Sequence, residues 1–353
     1  MKTVLGISAG QGSLLFPFFI DNRHYKILGN IEPRAVFHSP KDEQWKLNFG
    51  ETPFIKSGFP EEWHPDIIVS SPDCGASSVM RLSKVKELGN PEKNKSINLV
   101  IEGILHYKPK FFLIENLPKL ITLLPREYWE KTFSDYHLIF HHDSVSQFGN
   151  SQVSRKRLVI IGVTSKENIK FFTNITPVNE LKLSRNSLEA AYFKGNNANY
   201  MPPKSKTLAM YDYRKLPDKK TLTVRQIHKL WNKDFKNERK WPIKTKKMAT
   251  LPGVYRLDPD KYPLTVRPAD RQFRPDGWPL GIQDYRIIMG FPETFRIYMD
   301  HGNFLYWLNK ARYTLCKGSV YEVGVWFKMC LDHKRKKKEK KSNQKKSKKK
   351  ENI

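Results

Sequence analysis

The sequence predicts an α/β fold, a doubly wound parallel sheet joined to a second and smaller module, and three observations carry that expectation. Four short apolar runs, at 3–7 (TVLGI), 66–69 (DIIV), 111–114 (FFLI) and 158–163 (LVIIGV), are each bounded by turn or charged residues and read as strands buried on both faces. Polar segments separate them, some with helical periodicity, as at 96–107 (SINLVIEGILHY). Strand and helix alternating over about 165 residues is the pattern of a parallel sheet covered on both sides. From residue 166 the pattern breaks: Lys, Asn and Pro become frequent, aromatics are scattered, and no period or repeat is visible up to about 265.

Composition narrows the partners. A chain of 353 residues can bury a sizeable core and hold two domains. Its formal net charge is +28, of which residues 334–353 (KRKKKEKKSNQKKSKKKENI) contribute +10. That tail has almost nothing apolar to bury and is expected to be disordered, attracting phosphate without regard to sequence. Because the remainder is also strongly basic, the expected partner is a polyanion rather than a membrane surface. The three cysteines form no CxxC or Cys/His cluster, so neither a metal site nor a disulfide framework is expected. No apolar run approaches the ~20 residues of a membrane span and no signal-peptide pattern opens the chain, so the expectation is a cytoplasmic protein without membrane contact.

The first run leads into GISAGQGS, where Gly10 and Gly12 would let the backbone approach a ligand at a helix N-terminus. The third glycine of a dinucleotide fingerprint and the lysine of a phosphate loop are both absent. Glu32 follows Gly12 by twenty residues, after another strand-like run, an offset that suits a ribose diol. Cys74 follows the second run within SSPDCGASS, where a cysteine is either packing filler or a nucleophile at the ligand-binding edge of the sheet. Glu115 and Asn116 end the third run, and a carboxylate after four apolar residues is costly unless paired or functional. Arg155 and Arg157 precede the fourth run, two residues apart and so side by side on one face; alone they read as a solvated basic patch.

Taken in order, these stretches resemble the cytosine-C5 DNA methyltransferases. SSPDCGASS is similar to that family's nucleophile loop, with Cys74 at the cysteine and Pro72 at the first proline; IENL is similar to its Glu-Asn-Val motif, and SRKR to its arginine pair. SAGQGS resembles the cofactor loop, LTVRP the Thr-containing end of a target-recognition domain, LGIQDYRIIMGFPETF the hinge after it, and YTLCKGSV the last motif. The resemblance covers the chain to about residue 325 apart from the variable stretch.

It implies a Rossmann-like S-adenosylmethionine methyltransferase sheet with an inserted target-recognition domain. The organisation expected is a catalytic domain at 1–165, target recognition and hinge at 166–299, a return to the catalytic domain at 300–333, and the tail at 334–353. Cys74, Glu115, Arg155 and Arg157 are implied as catalytic. Ala9, Gly10, Gln11, Gly12, Glu32, Pro72, Leu99, Lys317, Gly318 and Ser319 are implied to bind S-adenosylmethionine, with Thr265, Lys334 and Arg335 on DNA. The implied partner is double-stranded DNA, bound by a monomer in a prokaryotic or phage-infected cell.

Four departures keep other readings open. Ser8 stands where the family usually has an aromatic, Asp73 replaces the second proline, and the arginine loop carries an extra residue. Lys317-Gly318 replaces the usual Gly-Asn, and a lysine near a sulfonium is repulsive unless the donor carries a carboxylate, as carboxy-S-adenosylmethionine does. A tRNA cytosine methyltransferase would share the chemistry. An inactive DNA-binding relic would have had no reason to keep all four catalytic positions.

Overall fold

The computed structural model describes residues 1–33, 40–73, 94–149, 155–176, 178, 254–256, 271–273, 285, 289–292, 294–297, 315 and 319–333. The chain divides into two compact units, the first built from 1–181, 289–298 and 318–353 and the second from 182–288 and 299–317.

The first unit carries a seven-stranded sheet: β1 (Lys2–Ile7), β2 (Tyr25–Ile31), β3 (Phe54–Ile55), β4 (Ile67–Ser70), β5 (Phe111–Asn116), β6 (His137–Ser144) and β7 (Lys156–Val163). Their spatial order is β3-β2-β1-β4-β5-β7-β6. β1, β2, β3, β4 and β5 pair in parallel, as expected. β7 does not: it runs antiparallel between β5 and β6, so the sheet is mixed where a parallel one was expected. The cause is the short link from β6, which holds a 3-10 turn (Val145–Phe148) and no crossover helix among its described residues. Only a long crossover can return a strand in parallel.

The four runs picked out in the sequence form β1, β4, β5 and β7. Every residue of β4 and β5 is buried, as central strands covered on both faces must be. Helix α1 (Phe16–Phe19) is a single turn, α2 (Pro40–Phe49) follows β2, and α3 (Lys95–Tyr107) connects β4 to β5. Ile97, Val100 and Ile104 share one face of α3 and join Leu5, Ile7, Ile68 and Phe112 in one buried cluster. Each such side chain contributes about 1.5–3 kcal/mol relative to exposure. Gly103 lets the helix lie close, since a Cβ there would meet Ile7 at 2.3 Å.

Helices α4 (Leu120–Leu123) and α5 (Arg126–Thr132) follow β5, and α5 buries Trp129. A last helix, α6, spans 321–333 and buries Val323, Trp326, Phe327 and Leu331, a helical stripe that packs on Phe148, Phe172 and Phe18. The second unit holds a two-stranded parallel ribbon, β8 (Val254–Arg256) with β9 (Arg271–Phe273). Among the described residues no helix is long and apolar enough to cross a membrane.

Candidate active site

The chain builds the sheet outward from β1 in one direction through β2 and β3, then returns to β4 and continues the other way. The crevice beyond the carboxyl ends of β1 and β4 is therefore the topological switch point, where ligands bind in open α/β sheets. Ser71 N–H, just past β4, donates to the Ser8 carbonyl just past β1 at 3.3 Å, so the two strand ends are tied at that crevice.

Beyond β1 the backbone turns sharply. Ser8 takes a left-handed φ of 51°, and Gly10 and Gly12 follow at 59° and 84°. A Cβ on Gly12 would lie 2.4 Å from the Phe49 ring, whereas a Cβ on Gly10 would meet nothing within 4 Å. One glycine packs the loop onto α2, and the other leaves its outer side open to a ligand. β2 supplies the struts. Asn30, fully buried, accepts from Ala9 N–H at 3.3 Å and donates to the Gly10 carbonyl at 3.0 Å. Glu32, also buried, accepts from Gly10 N–H at 3.0 Å. The glycines were expected at the start of a helix; instead a further turn intervenes, and α1 begins only at Phe16.

The other side of the loop is held from the far end of the chain. The Ser13 and Ser319 hydroxyls share a buried hydrogen bond, and Gly324 brings α6 onto the Leu14 carbonyl, where a Cβ would lie at 2.7 Å. Burial, reinforced by the Glu322 charge, pushes the Tyr321 phenol up to about 12, so this side chain beside Ser319 stays neutral. Ala9, Gly10, Gln11, Gly12, Glu32 and Ser319 thus belong to one loop and its supports. Leu99 lies on α3, partly buried against the core cluster.

Beyond β4 and β5 lies a second cluster. Glu115 is 3 % exposed, a position where an unpaired carboxylate would be prohibitive. Arg157 Nε lies 2.8 Å from its Oε1, and Ser71 Oγ donates to its Oε2 at 2.7 Å. The register explains the first contact: Glu115 opposes Val159, so Arg157 is its diagonal neighbour on the same face. Arg155 departs from expectation. It is 2 % exposed and donates to the Met289 sulfur at 3.1 Å, so it is not part of a solvated patch. The chain segment before Cys74 is pinned as well, because Asn116 Nδ2 donates to the Pro72 carbonyl at 2.9 Å and Asn94 Nδ2 to the Asp73 carbonyl at 2.9 Å.

Cys74, Thr265, Lys317, Gly318, Lys334 and Arg335 lie outside the described residues. Among the described residues no group of three or more His, Cys, Asp or Glu side chains could hold a metal ion.

The profile of the C-5 cytosine-specific DNA methylases matches residues 37–307, most of the chain. The chain belongs to this family. Over 191 residues the chain is 29 % identical to the Type II methyltransferase M1.HgaI of Avibacterium volantium, a match covering 50 % of this chain. The chain spans about half the length of that curated relative, 48 % of it being matched. Its fold is that of Rossmann-like methyltransferases. The Entamoeba histolytica methyltransferase EhMeth superposes with a TM-score of 0.60 at 14 % identity, over 94 % of this chain and 98 % of that one. The S. pombe Dnmt2 methyltransferase does so at 0.56 and 14 %, with the same coverage.

Three side chains of the crevice escaped the sequence reading: Asn30, Ser71 and Asn94. Asn30 left a signal, since a buried Asn inside a strand is out of place unless it holds something. Ser71 and Asn94 left none, because Ser before Pro and Asn before a helix read as ordinary turn and cap residues.

Proposed function

We propose that the chain is a DNA cytosine-C5 methyltransferase that attacks a flipped-out cytosine with Cys74. The observation that supports this best is the buried Glu115–Arg157 pair on β5 and β7, bonded through Ser71 to the clamped residues 71–73 that lead directly into Cys74. Cytosine C5 is a poor nucleophile. A thiolate bond from Cys74 to C6 turns the ring into an enamine whose C5 can be alkylated. Glu115 hydrogen-bonds N3 and the exocyclic amine as that adduct forms, and Arg157 holds O2. Loss of the C5 proton to a base then breaks the C6–S bond and releases Cys74. Because C6 is shielded in a stacked duplex, the base must leave the helix.

S-adenosylmethionine, the donor of this family, supplies an electrophilic methyl group. The residues present fit it: the open side of Gly10 admits a backbone-hugging ligand, and the buried Glu32 carboxylate beside it suits a ribose diol. Ser319 closes the same loop through Ser13. Residues 166–299 and the tail at 334–353 supply groove reading and phosphate grip, with Thr265, Lys334 and Arg335 on DNA.

Lys317-Gly318 supports a second reading, in which a carboxylated donor delivers a carboxymethyl group by the same steps. The test is nucleoside mass spectrometry of duplex DNA, and of tRNA, incubated with the protein and each donor in turn. One methyl gained on DNA cytosine is the expected result. A carboxymethyl gain only with the carboxylated donor would favour the second reading, and methylation of tRNA alone would move the substrate to RNA. A stable adduct with 5-fluorocytosine DNA checks the nucleophile, and turnover by Cys74→Ser would overturn it.

A further inference from the structure

Asn94 stands between two structures that the proposed reaction needs. Its Oδ1 caps α3, accepting from Ser96 N–H at 3.0 Å and Ile97 N–H at 3.4 Å. Its Nδ2 points the other way and donates to the Asp73 carbonyl at 2.9 Å, one residue before Cys74. Capping needs only the oxygen, and Ser, Asp and Asn serve almost equally there. The amide nitrogen is a donor that Asp lacks and that Ser replaces only with a shorter hydroxyl, and it bonds to the chain leading into Cys74.

The neighbouring residues make that bond informative. Ser71 is fixed through its hydroxyl to Glu115, and the Pro72 carbonyl is fixed by Asn116, both anchored on β5. Asp73 is therefore the first residue past β4 whose carbonyl is held by a side chain from α3 rather than from β5. The direction in which the chain leaves Asp73 sets where the next side chain stands. A nucleophile must meet its carbon within a few tenths of an ångström, and about 1 Å of misplacement costs on the order of a hundredfold.

We infer that Asn94 is a positioning residue, whose Nδ2 clamp on the Asp73 carbonyl fixes the backbone that leads into Cys74 while its Oδ1 caps α3. The inference rests on the proposed role of Cys74. It treats the helix as a fixed post, since α3 is locked to the core by Ile97, Val100 and Ile104, and Asn94 couples the loop to that post.

Asn94→Asp keeps a cap acceptor and has no donor, Asn94→Ser keeps the acceptor but puts a shorter hydroxyl in place of Nδ2, and Asn94→Ala loses both. Each is compared with the unmodified full chain for thermal midpoint, S-adenosylmethionine affinity, kcat and KM on DNA, and the rate of adduct formation with 5-fluorocytosine DNA. The expected result is a ten- to hundredfold fall in kcat and trapping rate for Asp and a fall no larger for Ser, with midpoint, cofactor affinity and KM near those of the unmodified protein. Asn94→Ala should show the same fall in kcat and a lower midpoint. Trapping by Asn94→Asp within twofold of the unmodified protein would overturn the inference, as would a fall no larger than its loss of folded protein. If the unmodified protein formed no adduct and transferred no methyl group, the role of Cys74 would have failed instead.

Discussion

Arg157 Nε faces Glu115 Oε1 at 2.8 Å across the antiparallel β5–β7 pair, with the carboxylate almost wholly buried and the guanidinium side chain 15 % exposed. The reversed strand is what makes this contact. In the β5–β7 register Glu115 opposes Val159, and Arg157 is one of its two diagonal neighbours on the same face. Removing the cation would leave a buried charge unpaired, which typically costs about 3–5 kcal/mol. Arg157→Ala is expected to lose about 3 kcal/mol in urea unfolding, the lower end applying because its side chain is partly exposed. Glu115→Gln should keep most of the stability, because an amide still accepts from Ser71, yet lower kcat by about 10²–10⁴ through loss of proton handling at N3. A Glu115→Gln variant with near-normal kcat would remove Glu115 from the chemistry.

Gly10 and Gly12 are expected to respond differently to the same added methyl. Both require a left-handed backbone, which costs Ala about 1–2 kcal/mol. At Gly12 the new Cβ also runs into Phe49, adding an overpacking cost of about 1–3 kcal/mol. Gly12→Ala should therefore be the less stable variant by thermal melting. Gly10→Ala meets open space, so its larger effect should be on S-adenosylmethionine affinity, which calorimetry would read as a loss of at least about tenfold. Equal effects of the two on both measurements would mean that the open side of Gly10 does not face the cofactor.

How much of this could be read beforehand depended on burial. β1, β4, β5 and β7 were legible because strands covered on both faces carry unbroken apolar runs. β3 has only two residues, and β6 (HLIFHHDS) mixes His and Asp into a half-exposed strand, so neither left a clear period. The direction of β7 was not legible at all, since strand polarity is set by the length of the connection and not by the strand's own residues. Glu115 stood out as a carboxylate ending an apolar run, and Glu32 by its offset from Gly12. Asn94 and Ser71 did not, because their roles depend on which carbonyl or carboxylate the fold brings opposite them.

The junction between α6 and the start of β2 should give acid sensitivity with a defined sign. Burial opposes ionisation of Asp21, but hydrogen bonds from Lys328 at 2.6 Å and His24 at 2.7 Å outweigh it and hold the carboxyl below its ordinary 3.8. A carboxylate with a depressed native value contributes stability that is present above the unfolded value and lost as pH falls through the native one. Lys328 also reaches Asp332 at 2.8 Å, whose carboxylate accepts from the Tyr25 hydroxyl. Lys328→Met is expected to lose on the order of 1 kcal/mol at pH 7. The gap from the unmodified protein should narrow as pH falls below the ordinary value of 3.8. Urea midpoints at pH 7, 5 and 3.5 test this, and a gap independent of pH would show that Lys328 acts through packing alone.

Residues 334–353 carry twelve Lys or Arg against two Glu. Each phosphate that such a cation neutralises adds about 0.9 to the slope of log affinity against log salt on duplex DNA. If even three of the twelve engage, deletion of the tail should flatten that slope by about 2.7, weaken binding most at low salt, and leave the preferred sites of modification unchanged. Competition between specific and random duplexes over a salt series, with sequencing of the modified sites, separates the two outcomes. A shift in the sites modified would mean that the tail contacts base edges, whereas an unchanged slope would mean that it makes no contact with phosphate and that the charge of the rest of the chain suffices for binding.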